Sequence, residues 1–127
     1  IALALDGETA LKIVAETRID LILLDIMMPG IDGFEVCQRL KSNPKTEEIL
    51  IIFLTAKNDT DDIVKGFQVG GVDYITKPFR KEELYARVQN HIKLKLFRDW
   101  YKIQAEESRN KKYDFLRSLH DLGSLMG

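Results

Sequence analysis

The segment LILLDIMMPGIDG, residues 21–33, decides the fold. It opens with four apolar residues without polar alternation, which is typical of a parallel strand buried on both faces. The apolar run ends at Asp25. The turn that follows, with Pro29, Gly30 and Gly33, would carry the chain from this acid into the next helix. The sequence therefore predicts a buried strand that delivers a carboxylate to the end of a sheet.

The rest of the chain repeats this strand-then-helix pattern. Three further strands are predicted at 1–5, 50–54 and 72–76, the last closed by Pro78. Helical spacing follows each strand, with Asp6 or Thr9 as the cap of the first helix and residues 59 and 60 as the cap of a later one. The order βαβαβαβα predicts an α/β protein with an open parallel sheet wrapped by helices.

Composition excludes several classes of protein. The chain is 45% hydrophobic with a net charge of −1, and no apolar run approaches the roughly 20 residues that a membrane span needs. We therefore expect no membrane insertion. Residues 1–92 carry 11 Lys and Arg against 15 Asp and Glu, so the body lacks a basic footprint for nucleic acid. The single cysteine, Cys37, fits a cytoplasmic location.

Three strand ends carry residues that suit one reaction. The predicted strands end at Asp25, at Thr55 with Ala56, and at Lys77. Ligands of such sheets bind outside the carboxyl ends of the strands, so an acid, a hydroxyl and an ammonium should meet at one rim. This trio favours phosphoryl transfer to the carboxylate of Asp25, with Lys77 and Thr55 binding the phosphoryl oxygens. A divalent ion, most naturally Mg²⁺, is normally needed for this chemistry.

Three motifs resemble the signatures of response-regulator receiver domains, the phosphoacceptors of two-component signalling. They are residues 23–33, the pair Thr55 and Ala56, and residues 73–79 (DYITKPF), and the resemblance covers residues 1–95. It implies a flavodoxin-like, doubly wound sheet. It also implies that Asp25 is phosphorylated by a histidine kinase and that Pro78 follows a cis peptide bond. The side chain of Tyr74 would turn inward when Thr55 is drawn to the phosphoryl group.

The resemblance further implies partners and a metal. The output face of the family corresponds to residues 59–95, so we expect a homodimer through that face or through the C-terminal helix. The family's first strand ends in two adjacent acids that hold Mg²⁺, and this strand and its helix are absent from the chain. Asp25 and the backbone carbonyl of Met27 match the remaining ligands. We therefore expect weak Mg²⁺ binding, poor phosphorylation, and a sheet with unpaired backbone groups where a central strand is missing.

The chain changes character after about residue 95. Apolar residues recur at threes and fours, which predicts a long helix over 96–127 that needs a partner helix. We interpret this segment as a helical linker or the start of a dimerisation helix. Within it, His120 and Asp121 resemble the phosphoacceptor box of histidine kinases, and a polar position on a dimerising helix is the simpler interpretation of His120.

Two other functions were weighed against phosphoryl acceptance. A phosphatase that uses an aspartate at a strand end needs a second acid two residues on, where this chain has Met27. We therefore expect no turnover of an external substrate. The other alternative is a receiver-like dimerisation module without phosphorylation. The remaining candidates are interpreted as structural: Asp32 in a turn, Cys37 and Trp100 in packing, and His91 on a helix surface.

Overall fold

A computed structural model describes residues 2–4, 6–56 and 60–126, and the side chains within 6–56 and 60–123. Strands and helices alternate as predicted. They are β1 (Ala2–Ala4), α1 (Gly7–Glu16), β2 (Leu21–Asp25), α2 (Gly33–Lys41), β3 (Leu50–Ala56), α3 (Thr60–Gln68), β4 (Asp73–Lys77) and α4 (Lys81–Met126). Asp6 is the cap of α1, because its carboxylate accepts the Thr9 backbone N–H at 2.8 Å. Residues 1, 5 and 59 of the predicted elements lie outside the described residues.

The four strands form one parallel sheet in the order β1-β2-β3-β4. The expectation of unpaired backbone groups beside a missing central strand is wrong for the described residues. β1 pairs directly with β2, with Ala2 opposite Ile22 and Ala4 opposite Leu24. The physical reason is that an unpaired backbone group inside a sheet is costly, and a neighbouring strand can satisfy it by moving alongside.

Helices cover both faces of the sheet, which confirms the predicted α/β class. Side chains alternate along each strand, so Ile22 and Leu24 of β2 enter one core while Leu21 and Leu23 enter the other. The first core also contains residues of α1 and α2. The second core is covered by α4 through Leu84, Val88 and Ile92. Tyr85, the neighbour of Leu84 on α4, is 63% exposed and does not join this core.

The chain divides into two compact units, residues 1–92 and 93–127. The second unit is helical through residue 126, including the polar stretch 104–112, so the predicted long C-terminal helix is confirmed. Trp100 is half exposed, contrary to its interpretation as a packing residue, and its ring meets that of Tyr101 edge-on at 5.1 Å. The boundary between 1–95 and 96–127 stays a prediction. Over the described residues, no helix is both long and apolar enough to cross a membrane.

Candidate functional site

Three neighbouring strands end at the same rim of the sheet. β2 ends at Asp25, β3 at Ala56 and β4 at Lys77. The parallel register aligns these ends, because Asp25 lies opposite Leu54 and Ala56 lies opposite Lys77. Parallel strands that end together place their last side chains around a common crevice. The structure therefore brings together the residues that the sequence placed at strand ends.

The carboxylate of Asp25 is the centre of this rim. Its Oδ1 accepts a hydrogen bond from the Met27 backbone N–H at 3.0 Å, and its Oδ2 lies 2.6 Å from the Lys77 Nζ. The side chains of Asp25 and Lys77 are 26% and 42% exposed. Water therefore screens the ion pair and keeps its contribution to stability modest. The arrangement gives a solvent-accessible carboxylate with a cation already in place.

Thr55 lies just inside the rim and is almost fully buried. Its hydroxyl has a long contact of 3.4 Å to the carbonyl oxygen of Ala56, which is exposed. A hydrogen bond of that length is weak. Thr55 and Tyr74 line the same cleft, which is too narrow to admit water. The Tyr74 ring is partly buried and meets Phe67 edge-on, with ring centroids 6.0 Å apart.

The turn after Asp25 is shaped by glycines. Gly30 has a φ of +76°, a left-handed conformation that favours glycine. Gly33 begins α2 so close to the strand end that a Cβ there would lie 2.6 Å from the carbonyl oxygen of Asp25. Asp32 is the N-cap of α2, accepting the Glu35 N–H at 2.8 Å, which agrees with its interpretation as a turn residue. Pro29 lies between Asp25 and this cap.

Two further predicted features are placed by the structure. The peptide bond between Lys77 and Pro78 is cis. The His120 ring is 82% exposed, with its Nδ1 3.9 Å from the Asp121 carboxylate. An exposed imidazole beside an acid leaves its second nitrogen open to solvent.

Among the residues that the structure describes, those around Asp25 do not make a complete Mg²⁺ site. Mg²⁺ prefers six oxygen ligands in octahedral geometry. Within residues 2–4, 6–56 and 60–126, no three His, Cys, Asp or Glu side chains lie together in a way that could hold a metal ion. Both oxygens of Asp25 already have partners, and the Met27 side chain is 80% exposed.

A second charged cluster, on β4 and α4, was not predicted. The Asp73 carboxylate accepts hydrogen bonds from the Arg87 Nη1 at 3.1 Å to each oxygen, and its Oδ2 lies 3.0 Å from the His91 Nε2. The interpretation of His91 as a surface residue is therefore wrong, since its ring is only 17% exposed. Arg87 and His91 are four residues apart on one helix face, but the sequence does not indicate that this face meets Asp73.

The hydrogen bonds in this cluster control the pKa of Asp73. Burial alone raises the pKa of its carboxyl, but hydrogen bonds from His91, the Tyr74 N–H and Arg87 outweigh burial and hold the pKa below its usual value. Asp73 is therefore ionised at neutral pH.

Comparisons with known proteins give a consistent family. The family model described as "Response regulator receiver domain" matches residues 1–89. The transcriptional regulatory protein AfsQ1 of Streptomyces coelicolor is 48% identical over 89 residues, which cover 70% of this chain and 38% of that protein. A probable cyclic di-GMP phosphodiesterase of Vibrio cholerae is 46% identical over 96 residues, 76% of this chain and 22% of that protein. The chain thus spans less than half the length of these relatives.

Comparisons with solved structures agree with this family match. A putative response regulator from Chloroflexus aurantiacus superposes with a TM-score of 0.66 at 39% identity, covering 68% of this chain and 71% of that one. The parallel sheet with its helices is the CheY-like flavodoxin fold, as the chemotaxis regulator CheY4 of Vibrio cholerae also shows at a TM-score of 0.63 and 30% identity, over 68% of this chain and 72% of that one. Since the family model covers well over half of the residues, this chain belongs to the response regulator receiver domain family.

Proposed function

We propose that residues 1–95 accept a phosphoryl group on Asp25 from a phosphohistidine of a histidine kinase and change an output or dimer interface in response. One observation carries the proposal: the Lys77 ammonium lies 2.6 Å from the Asp25 carboxylate although the two residues are 52 positions apart. A carboxylate at a strand end with a cation beside it has the chemistry of an aspartyl-phosphate acceptor.

The reaction is a displacement at phosphorus. A carboxylate oxygen of Asp25 forms the new P–O bond while the P–N bond to the imidazole breaks, and the electron pair of that bond returns to the ring. The Asp25 side chain becomes more negative on phosphorylation, because the phosphoryl oxygens carry negative charge. Lys77 stabilises that charge by moving its contact from Oδ2 to a phosphoryl oxygen.

Thr55 and Tyr74 would report the reaction to the rest of the domain. The Thr55 hydroxyl loses only its weak 3.4 Å contact when it turns to donate to a phosphoryl oxygen. Because Tyr74 lines the same narrow cleft, it can fill the space that Thr55 leaves. Lys77 thus binds the phosphoryl group, Thr55 senses it, and Tyr74 acts in the output. The rim is shaped by the backbone-defining residues Pro29, Gly30, Gly33 and Pro78 and by Ala56.

The Mg²⁺ that the family resemblance implies takes no step in this mechanism, because the residues present do not fit a complete site. In a longer protein an acid pair would supply the missing ligands, with Asp25 and the Met27 carbonyl. For this chain we expect weak Mg²⁺ binding and a low yield of phosphorylation.

The setting is proposed from composition and sequence pattern. The chain works in the cytoplasm, forms a homodimer through the 59–95 face or the C-terminal helix, and does not bind nucleic acid itself. Residues 96–127 form a helical linker. We also infer that the domain is no enzyme for external substrates, because Met27 stands where a phosphatase of this kind needs its second acid.

The test uses the chain with acetyl phosphate or phosphoramidate, and intact mass spectrometry after borohydride trapping of acyl phosphates. We expect a small fraction of modified chains, mapped to Asp25 and lost in Asp25→Asn. The matched control is Asp32→Asn, which keeps a helix-capping side chain and should leave the fraction unchanged. A modification that survives in Asp25→Asn contradicts the assignment of Asp25. A high yield with Mg²⁺ contradicts only the expectation of a poor metal site.

A second candidate function concerns His120. Its exposed ring and the adjacent Asp121 carboxylate, 3.9 Å away, leave it able to accept a phosphoryl group if the parent protein is a hybrid histidine kinase. Acid-labile, base-stable phosphorylation of the parent protein that is lost in His120→Gln but kept in His91→Gln would support this. Phosphorylation unchanged in His120→Gln would exclude it.

A further inference from the structure

We propose that the cleft between α1 and the end of α2 binds an organic anion with an apolar body, of the class of medium-chain carboxylates. The cleft has a volume of about 500 Å³ and is lined by both helices and by the turn 43–46. Pockets that bind small molecules usually enclose about 300–1,000 Å³. The cleft is therefore large enough for a small molecule.

The floor of the cleft is apolar and rests on the core. Leu40 of α2 is only 2% exposed and belongs to the first core, and Leu11 and Val14 of α1 are partly buried against the same core. Ala15, beside Val14, lines the cleft and is exposed. A ligand that covered these side chains would remove apolar surface from water, which favours binding. The floor therefore fits an apolar body.

The rim of the cleft is basic although the body of the chain is acidic. Arg39 and Lys45 line the cleft, and none of the described lining residues is an acid. The Lys45 side chain is exposed and has no ion-pair partner among the residues that the structure describes. Arg39 lies 3.0 Å from the Glu35 carboxylate, but both side chains are about half exposed, so water weakens this pair and a ligand can compete for the guanidinium. The rim therefore complements a negative charge.

Hydrogen bonds hold the turn that carries Lys45. The Thr46 hydroxyl, almost fully buried, donates to the Leu40 carbonyl oxygen at 2.7 Å, and the Asn43 Oδ1 accepts the Lys45 backbone N–H at 2.9 Å. These bonds fix the backbone around Lys45 relative to the end of α2. Binding a ligand there costs less ordering of the chain than binding to a free loop.

The combination of floor and rim selects one class of ligand. An inorganic anion would contact the rim but leave the apolar floor in water, and a neutral apolar molecule would leave the two cations without a partner. A carboxylate on an apolar chain meets both, because carboxylates accept charge-assisted hydrogen bonds from guanidinium and ammonium groups. The proposal does not rest on phosphoryl transfer, since Asp25, Thr55 and Lys77 do not line this cleft. Asp25→Asn should therefore bind the same ligand equally well.

The first experiment titrates the chain with octanoate and follows the backbone amides by NMR. We expect saturable shifts of the amides of Leu11, Val14, Asn43 and Thr46, which line the cleft. 1-Octanol, which has a chain of the same length but no charge, should bind about tenfold more weakly, because it lacks the charge-assisted hydrogen bonds. An absence of saturable shifts at these amides, or equal binding of 1-octanol, would overturn the proposal.

A pair of lysine variants tests the role of charge. Lys45→Gln should weaken octanoate binding about tenfold, because it removes one cation from the rim. Lys12→Gln is the matched control, since Lys12 is also exposed but lines a different cleft, with Asp6 and Glu8. It should leave the affinity unchanged. Equal losses in the two variants would mean that octanoate responds only to net charge, which contradicts the proposal.

A last variant tests the position of the ligand by filling the cleft. Ala15→Trp adds a large side chain at an exposed position of the lining, so it should block octanoate while the amide signals of the sheet stay unchanged. Should the added ring disturb α1, the lysine variants still decide the outcome. Binding that survives in a folded Ala15→Trp chain would refute this location. Shifts of the same amides on dilution of the protein alone would also refute the proposal, because a second copy would then occupy the cleft.

Discussion

Gly33→Ala tests how closely α2 must approach the strand that carries Asp25. The added Cβ would lie 2.6 Å from the carbonyl oxygen of Asp25 and 3.1 Å from the Cα of Ile26. Both neighbours are backbone atoms, so no side chain can rotate away to make room. Either the start of α2 or the end of β2 must shift.

The size of the effect follows from two opposing terms. Overpacking in a well-packed site costs about 1–3 kcal/mol. Alanine in a helix gains up to about 1 kcal/mol over glycine, and less at the first helical position. We therefore expect Gly33→Ala to lower the free energy of unfolding by about 1–2 kcal/mol, which is a 5- to 30-fold change in the ratio of folded to unfolded chains.

Urea unfolding followed by circular dichroism measures this difference. Gly123→Ala is the matched control, because no heavy atom lies within 4 Å of the Cβ it would add, and it should be neutral or slightly stabilising. If Gly33→Ala proved as stable as the unchanged chain, the close approach of α2 to Asp25 would be wrong. A loss of stability in both variants would point to a general effect of alanine instead.

Three other predictions follow from the same geometry. Because the pKa of Asp73 is lower in the folded chain than in the unfolded one, its contribution to stability is present above about pH 4 and lost as the pH falls through the folded value. Urea unfolding between pH 3 and pH 7 should therefore show a steeper acid loss of stability in the unchanged chain than in Asp73→Asn, and equal slopes would contradict a lowered pKa for Asp73. Asp32→Ala removes the hydrogen bond to the Glu35 N–H and should cost about 1 kcal/mol, whereas Asp32→Asn should cost much less; equal losses in thermal melts would argue against capping. Burial raises the pKa of the Cys37 thiol to about 11, so its reaction with iodoacetamide at pH 8 should be slow in the folded chain and fast in urea.

The sequence predicted the parts of the fold that depend on local patterns. Apolar runs such as residues 21–24 indicate buried strands because parallel strands covered on both faces leave no polar side. The positions of Asp25 and Lys77 at strand ends followed directly, since parallel strands share one carboxyl edge. The glycine turn at Gly30 and the turn position of Asp32 are likewise local, and both agree with the structure, which adds that Asp32 caps α2.

Away from the strand ends, the sequence could not predict which faces of distant elements meet. Asp73 and His91 are 18 residues apart, and their pairing depends on how α4 is rotated over the sheet. The contact face of α4 includes Leu84 and leaves its neighbour Tyr85 exposed, which helical spacing alone does not decide. The direct pairing of β1 with β2 was also missed, because strand neighbours are set by the whole sheet and not by either strand alone.

The dry cleft shared by Thr55 and Tyr74 has a consequence for how the domain can respond. The cleft has no room for water while both side chains occupy it, so the volume that one of them leaves can be filled by the other. Close-packed interiors change between discrete arrangements and do not deform gradually. Movements of these two side chains should therefore be all-or-none. A partial displacement would leave a void, and hydrostatic pressure should therefore disfavour it relative to either filled arrangement.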